Sequence, residues 1–398
     1  MGERTLLLGY DLGDETTQLA VYDRARRQPE MIGQTEENPD ALYDTVILLD
    51  NQVELTGFVD KIRKGKDIVV NGNVSDSVKV LAYYFRKTLM ATKIKYPTET
   101  IKQLVVTVAD LSREFTQIIY EALELNGIGK DRALVMDHRQ SFMYFVLAQK
   151  PEIWVNDVGM FDYGNSSLKY YQLQVDRRKK PIPVRVMERD FPEVFREEDE
   201  VASVQKAALE NVIYRAIHKQ ILSTLYMTGS GFEKEWADEL FHKFCVGRRL
   251  FKGNNLYVSG ACYAARNIGE NQHMNEYLLL DEDRIVSNIS IPVYREAKEQ
   301  EIYLAKAGTP WYEVDEAVDV IPDQEDELSI QVTNIFTKDS KKFMIGLDPV
   351  AGKLNRHCRL SVRVRFSDVK TCIVTINDRG FGELFPNSNR IWEKILTV

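Results

Sequence analysis

The sequence predicts two parts of different class, an α/β part followed by an all-β part. Two observations carry this. An apolar strand running into an Asp-x-Gly turn occurs twice, at Asp11-Leu12-Gly13 and at Asp162-Tyr163-Gly164, and apolar residues at helical spacing follow each. After Tyr277 that spacing gives way to alternation, as in Leu360-Ser361-Val362-Arg363-Val364-Arg365-Phe366, where every second residue is apolar. At 398 residues the chain is also too long for one ordinary core.

In chain order, residues 4–12 read as a buried strand and Gln18 to Asp23 as its hairpin partner. Leu104 to Val108 is another apolar strand, and Asp110 stands where a helix N-cap belongs. Leu111, Phe115, Ile118, Ile119 and Ala122 follow at helical spacing, and Gly127 is placed to stop that helix. A helix is predicted from Asp137 to Leu147. Val158 to Leu173 then repeats the opening strand-turn-strand pattern. A long helix covers Val201 to Leu222, a strand from Leu225 runs into Gly229-Ser230-Gly231, and a helix spans Glu233 to Cys245. Short strands are predicted at Ser287–Val293, Glu301–Leu304, Val314–Ile321, Leu328–Phe336, Leu360–Phe366 and Thr371–Ile376, which together suggest a sandwich. A short helix is predicted around Arg390 to Leu396.

Composition narrows the function classes. The hydrophobic share of 44% with 28% charged residues suits a globular protein, and the formal charge of -8 argues against nucleic acid or anionic membrane as partner. Four cysteines without a CxxC pair predict a reduced compartment. Five unclustered histidines give no metal-ligand spacing. With no apolar run near about twenty residues and no leader pattern, a cytoplasmic location is expected.

Three strand-turn elements carry chemistry: Asp11-Leu12-Gly13, Asp162-Tyr163-Gly164-Asn165-Ser166-Ser167 and Thr228-Gly229-Ser230-Gly231. Glycines let backbone N–H groups approach phosphate oxygens. Two aspartates on facing hairpins suit the water shell of Mg²⁺. A glycine turn opening a helix suits an anion at the positive helix end. An ordinary hairpin is the competing explanation for each turn taken alone.

In order and context the set resembles the actin-like ATPase superfamily of actins, sugar kinases and seventy-kilodalton heat-shock chaperones. Asp11-Leu12-Gly13 is similar to the first phosphate loop, Phe161-Asp162-Tyr163-Gly164-Asn165-Ser166-Ser167 to the second, and Met227-Thr228-Gly229-Ser230-Gly231 to the adenosine loop. The helix at Asp137 resembles the first connecting helix, and Gly260-Ala261-Cys262-Tyr263-Ala264-Ala265 the helix closing the second lobe. Glu276-Tyr277-Leu278-Leu279-Leu280-Asp281 is similar to the leucine-rich linker of the chaperones, and Gly308-Thr309-Pro310 and the hairpin Cys358 to Asp378 fall where their β-sandwich has them. Gly247-Arg248-Arg249-Leu250-Phe251 and Gly380-Phe381-Gly382-Glu383-Leu384-Phe385-Pro386 are similar to signatures of an uncharacterised bacterial family. The resemblance implies a two-lobed actin-like ATPase fold over residues 1–275, a linker at 276–281 and a chaperone-like β-sandwich at 282–398. It implies that ATP, if bound, meets Asp11, Gly13, Asp162, Gly164, Ser166, Ser167, Gly229 and Gly231, with Asp11 and Asp162 holding Mg²⁺ through water and Ser167 facing the γ-phosphate.

The chain departs from that pattern in four places. Asp14 and Glu15 stand where the chaperones have two threonines, and the second loop lacks one glycine. At about 4 Å and an effective dielectric near 20, each such carboxylate costs of order 4 kcal/mol against a triphosphate charge. Only about sixty residues separate Ser167 from Thr228, too few for the subdomain that clamps adenine. The stretch from Asp23 to Leu104 is also short, so both outer subdomains read as reduced. We therefore read the chain as a degenerate, chaperone-like binding protein, not an enzyme, that offers its sandwich to a peptide or protein client. With little chain after Asp378, a helical lid is not expected. The alternative is an active Mg-ATP-dependent chaperone ATPase; a sugar kinase leaves the sandwich without a role.

Overall fold

The computed structural model describes residues 5–33, 42–48, 54–70, 72–164, 167–194, 202–234, 237–271, 273–322, 327–347 and 358–398. Two compact units are present, one of Met1–Val175 with Val184–Glu276 and one of Asp176–Pro183 with Tyr277–Val398.

The first unit opens with β1 (Thr5–Leu12), β2 (Thr16–Asp23) and β3 (Gln28–Met31), an antiparallel run. Leu6, Leu7 and Leu8 of β1 are all buried, so an unbroken apolar run, not alternation, marks a strand covered on both faces. Next come α1 (Phe58–Arg63), α2 (Ser77–Lys95), β4 (Thr100–Val108), α3 (Arg113–Glu124), β5 (Ala133–Asp137) and α4 (His138–Leu147). β4 joins β1 in parallel and β5 joins β4 in parallel, giving the order β5-β4-β1-β2-β3. Ser112, not Asp110, caps α3: its Oγ accepts the Phe115 N–H at 3.1 Å, a donor that Asp110 stands too far back to satisfy. Gly127, at φ +76°, turns the chain out of that helix. Asp137 caps α4 by accepting the Gln140 N–H at 2.7 Å.

A second pass through the same plan follows. It comprises β6 (Asp157–Tyr163), β7 (Leu168–Val175), β8 (Ile182–Asp190), α5 (Ala202–Ile217), β9 (Leu222–Thr228), α6 (Ala237–Phe244), β10 (Arg249–Lys252) and α7 (Leu256–Arg266). Within this unit the order is β10-β9-β6-β7-β8, with β6, β7 and β8 antiparallel and β9 and β10 added in parallel. Strand order and orientation thus repeat those of the first half. α5 ends at Ile217, short of the predicted Leu222, because Lys219 turns the backbone to φ +59°. The helix predicted from Glu233 starts only at Ala237, after a single 3-10 turn over Ser230–Glu233.

The two halves meet through α4 and α7. A Cβ on Gly260 would lie 2.0 Å from the Ser141 carbonyl oxygen, so only glycine admits this crossing. Ser141 Oγ donates to the Tyr257 carbonyl at 2.5 Å. Below it α7 lies on β1, where a Cβ on Gly9 would meet Val258 O at 2.3 Å. On the other side α4 turns Phe142 and Phe145 toward Tyr171 and Tyr226 of the second sheet. The final helix of each half therefore packs on the sheet of the other.

In the second unit a strand at Tyr277–Leu280 precedes β11 (Ser287–Arg295), β12 (Lys298–Ala305), β13 (Asp315–Val320), β14 (Glu327–Asn334), β15 (Ser340–Gly346), β16 (Leu360–Asp368), β17 (Thr371–Asp378) and β18 (Ile391–Thr397). They form two four-stranded antiparallel sheets, β12-β11-β14-β15 and β13-β16-β17-β18. Ile289 and Ile330 from one sheet and Val362, Val364 and Val374 from the other share a single core. Arg363 and Arg365 point outward from β16. The helix predicted around Arg390 to Leu396 is instead the edge strand β18. Its Trp392 and Leu396 satisfy a helical period and also a strand's inward face, and the ladder to β17 decides for the strand. β15 escaped the sequence because Ser340-Lys341-Lys342 charges the start of an edge strand.

Candidate functional site

The repeated plan sets two aspartates at equivalent strand ends, Asp11 on β1 and Asp162 on β6. It also sets two rings at equivalent helix starts, His138 as the first residue of α4 and Tyr257 as the second of α7. These four side chains join into one chain. His138 Nε2 contacts Asp11 Oδ1 at 2.9 Å. The His138 and Tyr257 rings stack with centroids 3.7 Å apart and planes 10° from parallel. Tyr257 then donates its hydroxyl to Asp162 Oδ2 at 2.8 Å.

Electrostatics shift the imidazole at the centre toward protonation. Burial opposes the charged ring, but the Asp11 carboxylate, reinforced by Asp162 and Asp137, raises the His138 pKa above its ordinary value. Burial raises the Asp162 pKa, while the Tyr257 hydroxyl and His138 pull the other way. Burial first, and the neighbouring Asp162 carboxylate second, hold the Tyr257 hydroxyl well above its usual range, so it stays a neutral donor. The side chains of His138 and Asp11 are only 11% and 14% exposed.

The turns beside these carboxylates are closed on themselves. Gly13 gives its N–H to Thr16 O at 3.1 Å, and Gly164 gives its N–H to Ser167 O at 2.9 Å. Ser167 is exposed at the far side of that turn, and Ser166 lies outside the described residues. Gly229 and Gly231 serve close packing. A Cβ on Gly229, at φ +99°, would meet Tyr163 O at 2.4 Å, and one on Gly231 would meet the Tyr163 ring at 2.3 Å. The structure thus brings Asp11 and Asp162 to one cluster and sets the Gly229–Gly231 turn against Tyr163, the neighbour of Asp162.

Asp14, read from sequence as a charge repelling phosphate, is held by Arg63 at 2.7 Å, and Arg63 also bonds Asp60 at 2.8 Å. The repulsion assigned to Asp14 is therefore largely offset; Glu15 stays exposed. Lys169 on β7 bonds Glu188 at 2.6 Å.

The residues present do not fit Mg-ATP. A hydrated Mg²⁺ needs carboxylate oxygens turned to its waters, whereas one oxygen of Asp11 and one of Asp162 already accept from ring donors, and both carboxylates act to raise the pKa of the imidazole between them. Of the glycine amides that would cradle phosphate, those of Gly13 and Gly164 are bound within their own turns and that of Gly229 donates to Asn254 Oδ1 at 3.1 Å. Among the described residues no group of three or more His, Cys, Asp or Glu is arranged to hold a metal ion.

His138, Tyr257 and Arg63 are the members that sequence reasoning missed. Their available signals were weak: His138 directly follows the helix cap Asp137, and Tyr257 stands just before Gly260, where the helices cross.

Residues 46–282 match the C-terminal part of a family of unknown function (DUF5716), and residues 284–398 match a domain of unknown function (DUF8552). The first match covers more than half of the chain, so the chain belongs to that family. It takes in His138, Asp162 and Tyr257 and leaves out Asp11. No curated protein matches the sequence. No described helix is long and apolar enough to cross a membrane.

Proposed function

We propose that this member of the DUF5716 family is a cytoplasmic binding protein on an actin-like, chaperone-like plan, in which the nucleotide site has become a structural joint and the sheets of the second unit take a peptide or protein partner. One observation carries the proposal: the chain Asp11–His138–Tyr257–Asp162, in which an imidazole and a phenol occupy the carboxylates that a metal would need. The doubled strand order supports the actin-like part. Two antiparallel sheets on a shared core support the sandwich. For the partner, β18 is an edge strand with Ile391 and Ile395 exposed at 67% and 61%, a pattern that suits addition of an extended segment through main-chain hydrogen bonds.

A second proposal, an active Mg-ATPase, is favoured by the equivalent placement of Asp11 and Asp162 at two strand ends. It requires His138 and Tyr257 to release both carboxylates.

Screening the full-length chain against an array of extended apolar peptides, with and without MgATP, tests the first proposal. Binding at about micromolar Kd, near -8 kcal/mol, is expected, with no change on adding nucleotide. Peptide release driven by MgATP would overturn it in favour of the ATPase. Silence across the array would remove the peptide and leave a scaffold for folded partners.

A further inference from the structure

The helix α2 is apolar on two sides. Leu81, Tyr84, Phe85 and Leu89 are buried in the core of the first unit. On the outer side Tyr83, Met90 and Ile94 are 53%, 59% and 80% exposed. An ordinary surface helix has one apolar stripe; a second one marks a face that something else covers. Spacings of seven and four put these three side chains on one ridge, about 16 Å long at the usual helical rise.

Charge indicates what covers it. Along one flank of the ridge run Lys79, Arg86 and Lys93, again seven apart, all exposed and none with an ion-pair partner among the described residues. Lys87, on the other flank, reaches back to the Val46 carbonyl at 3.3 Å, and Lys95 pairs with Glu30 at 2.8 Å. No Asp or Glu occurs in α2, although the chain as a whole carries -8. Three aligned cations without counter-charges among the described residues call for carboxylates from outside. A second copy of α2 laid on this ridge would set the same three cations against one another. A bilayer calls for a broad apolar face, and this ridge is one side chain wide, the width of a helix-pairing seam.

We propose that this face of α2 binds an amphipathic helix of a partner protein, with apolar side chains on Tyr83, Met90 and Ile94 and acidic ones against Lys79, Arg86 and Lys93. This surface is separate from the four-residue chain, whose members lie on β1, α4, β6 and α7. Fluorescence anisotropy on the full-length chain provides the test. The probe is a labelled synthetic heptad peptide with Leu at its core positions and Glu at its flanks; a second peptide has Lys at the same flanks. The Glu peptide is expected to bind at about 10 μM and the Lys peptide at least about tenfold more weakly. Met90→Glu with Ile94→Glu should weaken the Glu peptide about tenfold or more. Lys79→Glu with Arg86→Glu and Lys93→Glu should reverse the preference between the two peptides. All five positions are exposed, and an unchanged circular dichroism spectrum secures the fold of each variant. Equal binding of both peptides, insensitivity to the variants, or binding of phosphatidylserine vesicles in place of either peptide would overturn the proposal.

Discussion

Replacing His138 by Phe keeps a ring over Tyr257 and removes the ring nitrogen that Asp11 bonds. The Asp11–His138 pair is largely buried, at 14% and 11% side-chain exposure. Breaking a buried pair from one side costs about 3–5 kcal/mol, because the remaining charge is left without a partner. The small residual exposure places this case at the low end, about 3 kcal/mol. With Asp11→Asn already present, no charge is stranded, and His138→Phe should cost only about 1 kcal/mol of altered packing. The two substitutions should thus couple by about 2 kcal/mol. Urea denaturation followed by far-ultraviolet circular dichroism reads the relevant unit, since all the α-helices among the described residues lie within Phe58–Arg266. If the single costs add to within about 0.5 kcal/mol, the pair is not the electrostatic centre of the cluster.

Stability should also depend on pH with a definite sign. The His138 pKa is raised, so the folded state keeps a proton that the unfolded chain gives up above about 6.5; the stabilisation is complete below that pH and is lost as pH climbs through the folded value. Asp162, raised as well, acts in the same direction from about pH 4 upward, and the urea midpoint of His138→Phe should be visibly flatter than wild type above pH 6. Gly260→Ala puts a methyl 2.0 Å from Ser141 O and should cost about 3 kcal/mol of unfolding free energy, whereas Gly253→Ala, whose Cβ meets nothing nearer than 3.6 Å, should melt near wild type. Arg63→Ala leaves Asp14 and Asp60 without their shared partner and should lower stability by about 1 kcal/mol in dilute salt, an effect that added salt reduces.

Asp11 and Asp162 were legible in the sequence because each follows an apolar run and precedes a glycine, a signal contained within a few residues. Their partners were not, because that information is tertiary: His138 lies 127 residues from Asp11, and Tyr257 lies 95 residues from Asp162. The charge of Asp14 could be read, but its neutralisation by Arg63, 49 residues on, could not. Gly229 and Gly231 look the same in sequence whether they border a ligand or admit Tyr163, and only the packing separates the two. Among the elements, the apolar strands of the first unit and the alternating strand β16 declared themselves through burial. The edge strands β15 and β18 did not, because half of each faces water and their pairing partners decide their conformation.

Isothermal calorimetry of the full-length chain with MgATP tests most directly whether His138 and Tyr257 have replaced the metal. We predict no heat of binding corresponding to a Kd tighter than about 1 mM, roughly -4 kcal/mol, and no release of phosphate. A micromolar Kd accompanied by hydrolysis would contradict the account: Asp11 and Asp162 would then exchange their ring partners for Mg²⁺, and the protein would be an ATPase.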